Sequence, residues 1–210
     1  MRRAEMTPSL GVVAEGSRIV VTDRSCGACE RCSTGYSYWC MAHKPRGETL
    51  LSVEADASAS DLLSWLTAMS AVLAAELRQD DTLLVLSSAN PRDVENLFAI
   101  VHTGPVVAAT ESRDRESRKI LSESTSTGRA EAVVALQDGR EAVKAVIRGG
   151  SVCLPDHPLN MPSVTELVQR EVQLFGVRNV VQIVQSISRE TLEDRLTPVL
   201  VTLNRKSTNA

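Results

Sequence analysis

Cys26-Gly27-Ala28-Cys29-Glu30-Arg31-Cys32-Ser33-Thr34-Gly35-Tyr36-Ser37-Tyr38-Trp39-Cys40 sets four thiols in a C-x2-C-x2-C-x7-C spacing. Four soft ligands this close in sequence can wrap a single tetrahedral ion, so zinc is the expected occupant of Cys26, Cys29, Cys32 and Cys40. The bland alternative is a set of buried or disulfide-bonded cysteines, but cysteines two residues apart are poorly placed for disulfide closure. Four thiolates also suit an iron–sulfur cluster, the lesser metal alternative. A site with four protein ligands has no open coordination position, so the metal is expected to support folding rather than chemistry. Gly27 and Gly35 allow the loop to turn tightly, so that backbone amides can donate to the thiolates.

The fifth cysteine, Cys153, lies alone in an apolar run. Five cysteines with four of them clustered fit a reducing compartment, where metal ligation is commoner than disulfide pairing. With 210 residues and 43% hydrophobic content, the chain can bury a core as one large domain or two small ones. Its 23 basic and 26 acidic side chains are well mixed and sum to −3, which offers no footprint for nucleic acid or an anionic membrane. Apolar stretches such as Leu83 to Leu86 and Val177 to Val184 fall short of the roughly 20 residues needed to span a bilayer. Met1-Arg2-Arg3 is followed by Glu5, Thr7 and Pro8 rather than an apolar segment, so a cytoplasmic location is the default expectation.

Before the cysteine loop, Leu10 to Val21 reads as two short strands with Gly16-Ser17 at the bend. After it, Met41 to Ser60 reads mostly as loop and marks a boundary. Asp61 can cap a helix running to Arg78, with Leu62, Leu63, Leu66, Met69, Leu73 and Leu77 at helical spacing. An alternation then begins: strand Thr82 to Leu86, helix Arg92 to Thr103, strand Val106 to Ala109, helix Asp114 to Ser122, strand Ala132 to Leu136. Helix Arg140 to Ile147, strand Ser151 to Leu154, helix Ser163 to Arg170 and strand Glu171 to Val177 continue it. The βαβαβ order implies a parallel sheet of Rossmann type. The tail carries an apolar run at Val180 to Val184, a helical stretch near Arg189 to Leu196, then Val199 to Leu203, with Asn204 to Ala210 expected to be disordered.

The run from Gly11 through Val21 into the cysteine loop resembles the zinc-lobe region of zinc-dependent medium-chain alcohol dehydrogenases, and the later β/α segment is similar in order. That family joins a GroES-like catalytic domain to a Rossmann domain and oxidises alcohols with NAD(P) and a second, catalytic zinc. The resemblance implies an α/β fold: a reduced GroES-like lobe over residues 1–60 carrying a structural zinc loop, a degenerate Rossmann-like domain over 61–178, and a C-terminal return segment over 179–210. It also shows what has gone. Met6, Thr7 and Pro8 stand where the family has Gly-His-Glu, Leu63 stands where a catalytic cysteine precedes the pair matched by Thr67-Ala68, and the first catalytic cysteine would lie upstream of Met1. At the G-x-G-x-x-G positions after the first Rossmann strand stand Ser87, Ala89 and Arg92, with Pro91 between them. Side chains there fill space where backbone must approach a pyrophosphate. Arg92 reads first as a solvated charge at a helix start. Thr110 replaces the ribose-binding acid, with Glu111 beside it and Arg113 nearby. NAD(P) binding is therefore disfavoured, and no catalytic residues can be assigned.

The remaining candidates are weaker. His43, His102 and His157 lack cysteine or carboxylate partners at catalytic or metal spacing, and ordinary surface or core roles suit them better. Asp156-His157 is the best placed, beyond the carboxyl end of a strand, where α/β sheets bind ligands; the alternative is a polar turn before Pro158. Asp23 and Arg24 read as a turn. Tyr36, Tyr38 and Trp39 could form a partner surface or pack on their own lobe. Three functions remain open: an interaction or assembly protein, an enzyme of a non-redox class (lyase, cyclase or isomerase) using the remaining cleft, or a zinc-independent NAD(P) reductase. The resemblance implies a homodimer formed through the strand Glu171 to Val177 at a sheet edge. A further protein or small-molecule partner fits the same reading, and nucleic acid and membrane do not.

Overall fold

The computed structural model describes residues 10–15, 18–34, 37, 40, 42, 44, 47–54, 59–110, 115–136, 138–155, 160–176, 180, 183 and 187–207. Two strands, β1 (Leu10–Glu15) and β2 (Arg18–Asp23), pair antiparallel from Glu15↔Arg18 to Leu10↔Asp23. The expected turn residues, Gly16 and Ser17, lie outside the described residues. β2 pairs again with β3 (Glu48–Glu54), with a register shift at Val21/Thr22. β3 corrects the expectation of loop across Met41 to Ser60. Its Leu51 and Val53 are fully buried, and the Arg18 guanidinium donates to the hydroxyl of Ser52 at 2.9 Å.

The helix expected from Asp61 is α2 (Ala59–Ala74); it ends four residues before Arg78, and Glu76 beyond it takes a φ of 48°. The alternating segment then forms β4 (Leu83–Leu86), α3 (Pro91–Phe98), β5 (Val106–Ala109), α4 (Arg115–Ser124), β6 (Ala130–Ala135), α5 (Gly139–Ala145), β7 (Val146–Cys153), α6 (Val164–Arg170) and β8 (Gln173–Phe175). α3 stops at Phe98 instead of Thr103, because the chain tightens through Ile100 N→Leu97 O and Val101 N→Phe98 O bonds. β7 takes over Val146 and Ile147 from the expected helix and runs through Gly149 (φ 78°) and Gly150. A Cβ on Gly150 would stand 2.6 Å from the carbonyl oxygen of Glu131, so the middle of β7 lies against the backbone of β6.

The parallel sheet has the order β5-β4-β6-β7-β8. Numbered within the sheet this is 2-1-3-4-5, a common doubly wound order that reverses direction at its first strand. Right-handed crossovers explain the layers. The step from β4 to β5 runs one way along the sheet and puts α3 on one face. Every later step runs the other way and puts α4, α5 and α6 on the opposite face. Side chains follow suit: Leu83, Val85, Ala132 and Val134 join the cluster with α3, while Leu84, Leu86, Val133 and Ala135 join the cluster with Leu121 of α4 and Val143 of α5. The direction reverses between β4 and β6.

In the tail, Arg189–Ser207 form a helix, α7, which passes through Pro198 and corrects the expectation of disorder for Asn204 to Ser207. Pro198 removes one intrahelical donor, but Leu196, Val199 and Leu200 around it are fully buried, and their packing carries the helix across the break. α7 covers the open edge of β3: the Glu193 carboxylate accepts from the Ser52 amide at 3.0 Å and from Arg189 Nε at 2.9 Å. Burial pushes the Glu193 carboxyl up, but the bonds from Arg189 and Ser52 outweigh it and hold the group below its ordinary value.

Candidate metal centre

The ladder between β2 and β3 closes at Asp23↔Glu48, so residues 24–47 form one long connection whose ends are already held together. Asp23 starts the turn out of β2 by accepting from the Ser25 amide at 2.8 Å and the Ser25 hydroxyl at 2.9 Å, in agreement with the turn expected there. At the far end Gly47 lies so close to β2 that a Cβ would stand 2.9 Å from side-chain carbons of Thr22 and Arg24. Within the connection, Gly27 takes a φ of 73°, and Cys29 stands just before the single-turn helix α1 (Glu30–Ser33) without a side-chain capping bond. The turn aims three cysteines at one point, and Cys40 returns to meet them.

The ligand sulfurs of Cys26, Cys29, Cys32 and Cys40 all lie within 4.8 Å of one another. Sγ separations are 3.5 Å for Cys29–Cys32, 3.5 Å for Cys26–Cys40, 3.8 Å for Cys29–Cys40 and 3.9 Å for Cys26–Cys32. A zinc–sulfur bond of about 2.3 Å in a regular tetrahedron requires sulfurs about 3.8 Å apart, close to these four separations. Backbone amides supply the second layer: Cys26 N donates to Cys40 Sγ at 3.3 Å, Cys29 N to Cys26 Sγ at 3.3 Å and Ala28 N to Cys26 Sγ at 3.5 Å. Hydrogen bonds from the Ala28 and Cys29 amides hold the Cys26 thiol down at about 6, and the Cys32 amide lowers Cys29. Burial pushes Cys32 up to about 12, and the neighbouring Cys29 sulfur adds to the rise. A bound divalent cation reverses that last shift, because a coordinated thiol is deprotonated outright.

Of the other expected site residues, Tyr36, Tyr38, Trp39, Gly35, His43, Asp156, His157, Glu111, Arg113 and Met6 to Pro8 lie outside the described residues. Cys153 is fully buried in β7, far along the chain from the loop, and burial alone raises its thiol to about 12. His102 is buried with Nε2 2.8 Å from the carbonyl oxygen of Asp81. Leu63, Thr67 and Ala68 sit together on α2, and the Thr67 hydroxyl donates to the Ser64 carbonyl at 3.0 Å.

The residues at the glycine-fingerprint positions form the turn from β4 into α3, at the sheet's point of reversal. Ser87 and Ala89 are buried, and Ser87 Oγ accepts from the Ala89 amide at 3.0 Å. Asn90 is the N-cap of α3 and accepts from the Arg92 amide at 3.0 Å. The signal for it was Asn immediately before a proline at the first helical position. Arg92 is exposed, and so is Thr110 at the end of β5. Two amides of this turn are therefore taken by the chain's own side chains.

No protein-family model and no curated protein matches the sequence. Solved structures do. An alcohol dehydrogenase from Thermus sp. ATN1 superposes with a TM-score of 0.56 at 15% identity, covering 96% of this chain and 79% of that one. A thermostable alcohol dehydrogenase from Pyrobaculum aerophilum gives 0.51 at 16% identity, over 90% and 71% of the two chains. An acetophenone reductase from Geotrichum candidum NBRC 4597, solved in complex with NAD, gives 0.50 at 15% identity over 91% and 72%. The chain has an α/β fold similar to that of these alcohol dehydrogenases, with a four-cysteine cluster among its described residues.

Proposed function

We propose that the protein is a zinc-stabilised, non-redox member of this structural group that acts in interaction or assembly. The observation that carries the reading is the β4–α3 turn. A dinucleotide pyrophosphate needs free amides and bare backbone at the start of that helix. Here the Ala89 and Arg92 amides are bonded to Ser87 Oγ and Asn90 Oδ1, and buried side chains stand at the first two glycine positions. Leu63 on α2, which cannot ligate a metal, supports the same reading for a catalytic zinc. The four-cysteine cluster then holds the long β2–β3 connection closed. Calorimetric titration with NADH and NADPH up to millimolar concentration is expected to show no binding. Saturable binding of either, or alcohol oxidation lost on chelation, would overturn the proposal.

Assembly on this reading uses β8, the edge strand of the parallel sheet, whose other side pairs with no strand among the described residues. Near it in sequence stand four exposed apolar side chains: Met161, Val164 and Val168 (75% and 69% exposed) and Leu174. An open edge beside exposed apolar groups favours pairing with a second copy. Light scattering is expected to give a dimer that Val168→Asp with Leu174→Lys converts to monomer; a monomeric wild type would sink this part alone. No helix among the described residues is long and apolar enough to cross a membrane.

A further inference from the structure

A cavity of about 390 Å³ opens at the end of the sheet opposite the β4–α3 turn, where α4 and α5 finish and β6 and β7 begin. Arg118 and Ser122 of α4, Arg129 of the turn before β6, and Lys144 of α5 surround it, over an apolar floor of Leu121 and Ala145. Its size lies within the range of about 300–1,000 Å³ typical of small-molecule sites.

Helix capping does not account for the two arginines, and neither has an ionic partner among the described residues. Cations in a last turn complement the partial negative charge of a helix C-terminus. Lys144 does so in α5, and it already donates to Glu141 at 2.8 Å. Arg118 does not, because it is in the first half of α4, whose last turn carries no basic residue. Arg129 is in no helix. Neither Arg118 nor Arg129 forms an ion pair among the described residues. A third guanidinium, Arg170, donates to the carbonyl oxygen of Val146 at 2.8 Å at the same end of the sheet. Burial and then repulsion from Arg129 lower its pKa, so Arg129 faces another cation. The cavity is thus lined by Arg118, Arg129 and Lys144 with no acidic side chain among its lining residues, and Arg170 stands near Arg129.

We infer that this cavity binds a small phosphomonoester, its phosphate held by Arg118 and Arg129 and its apolar body laid against Leu121 and Ala145. A guanidinium presents paired N–H donors that match phosphate oxygens, and a monoester at neutral pH carries a charge near −2, suited to two such groups. The apolar floor favours an organic ester over the free ion. The site is independent of the zinc loop and of any dinucleotide.

Phenyl phosphate is the probe, titrated calorimetrically into the zinc-loaded full chain at low salt. The expected result is one site with Kd below about 1 mM. Arg118→Ala and Arg129→Ala should each weaken it by about tenfold or more, and the double variant should abolish it. Arg195→Ala, an exposed arginine on α7, should bind as the wild type does, and zinc content should stay the same in all variants. The inference is overturned if no saturable binding occurs, or if the double variant binds as tightly as the wild type. Equal affinity for inorganic phosphate would overturn the organic-ester assignment, and equal affinity for benzoate would overturn the role of the second negative charge.

Discussion

Cys32→Ala is expected to abolish stoichiometric zinc and to destabilise the whole protein, whereas Cys153→Ala should leave zinc at one equivalent per chain. Removing one of four ligands leaves three thiolates gathered within 4.8 Å around a metal that has an open position. The remaining site must release the ion or take in water, and either outcome frees residues 24–47 from their internal cross-link. Metal loss belongs to the short class of changes whose cost exceeds about 4 kcal/mol. For a chain of this size each kcal/mol shifts Tm by roughly 2–4 °C, so a fall of roughly 8–16 °C is expected. Elemental analysis and thermal unfolding followed by circular dichroism check both parts. A colourless protein with one zinc agrees with a closed tetrahedral site; visible absorption and iron would assign a cluster instead. Two zinc equivalents, one carrying exchangeable water, would sink the assignment of metal to structure alone.

What could be read from sequence was what is local. The cysteine spacing places its ligands within fifteen positions, so the geometry of one loop decides the site. Strands β4, β5 and β6 are short apolar runs buried on both faces, and their alternation with helices implied parallel pairing before any contact was known. β3 escaped because Glu48-Thr-Leu-Leu-Ser-Val-Glu buries Leu51 and Val53 only once β2 pairs with it across the cysteine loop. The stretches Arg189 to Leu196 and Val199 to Leu203, separate in the sequence, join into one helix through Pro198, because Leu196, Val199 and Leu200 are buried in the core. At the β4–α3 turn the missing glycines were visible, but the bonds of Ser87 and Asn90 to the amides are set by backbone geometry that composition does not reveal. The cationic cavity was invisible for a similar reason, since Arg118, Arg129 and Lys144 come from separate elements that only the α4–β6–α5 packing brings together.

Trp65→Ala should destabilise the protein by about 3–5 kcal/mol and should do so in a single unfolding transition that also releases the metal. Trp65 on α2 is 1% exposed and packs against the fully buried Phe98 of α3, with ring centroids 6.0 Å apart and planes tilted by 56°. Truncation removes that aromatic contact and opens a cavity that packed neighbours can close only in part. The site matters because the buried cluster around it is continuous: Ile19, Val21, Leu51 and Val53 of the three-stranded sheet, Val85 and Val134 of the parallel sheet, and Leu196 and Leu200 of α7 all belong to it. The three-stranded sheet packs on α2 and α7, which share this one cluster with the parallel sheet, so loss of packing around α2 is expected to unfold the zinc-bearing sheet as well. Urea unfolding followed by far-UV circular dichroism and by a zinc-sensitive dye should give coincident midpoints, both shifted down in the variant. Zinc release that keeps its wild-type midpoint while the circular dichroism transition moves would show the lobe to be an independent unit and would refute the single shared core.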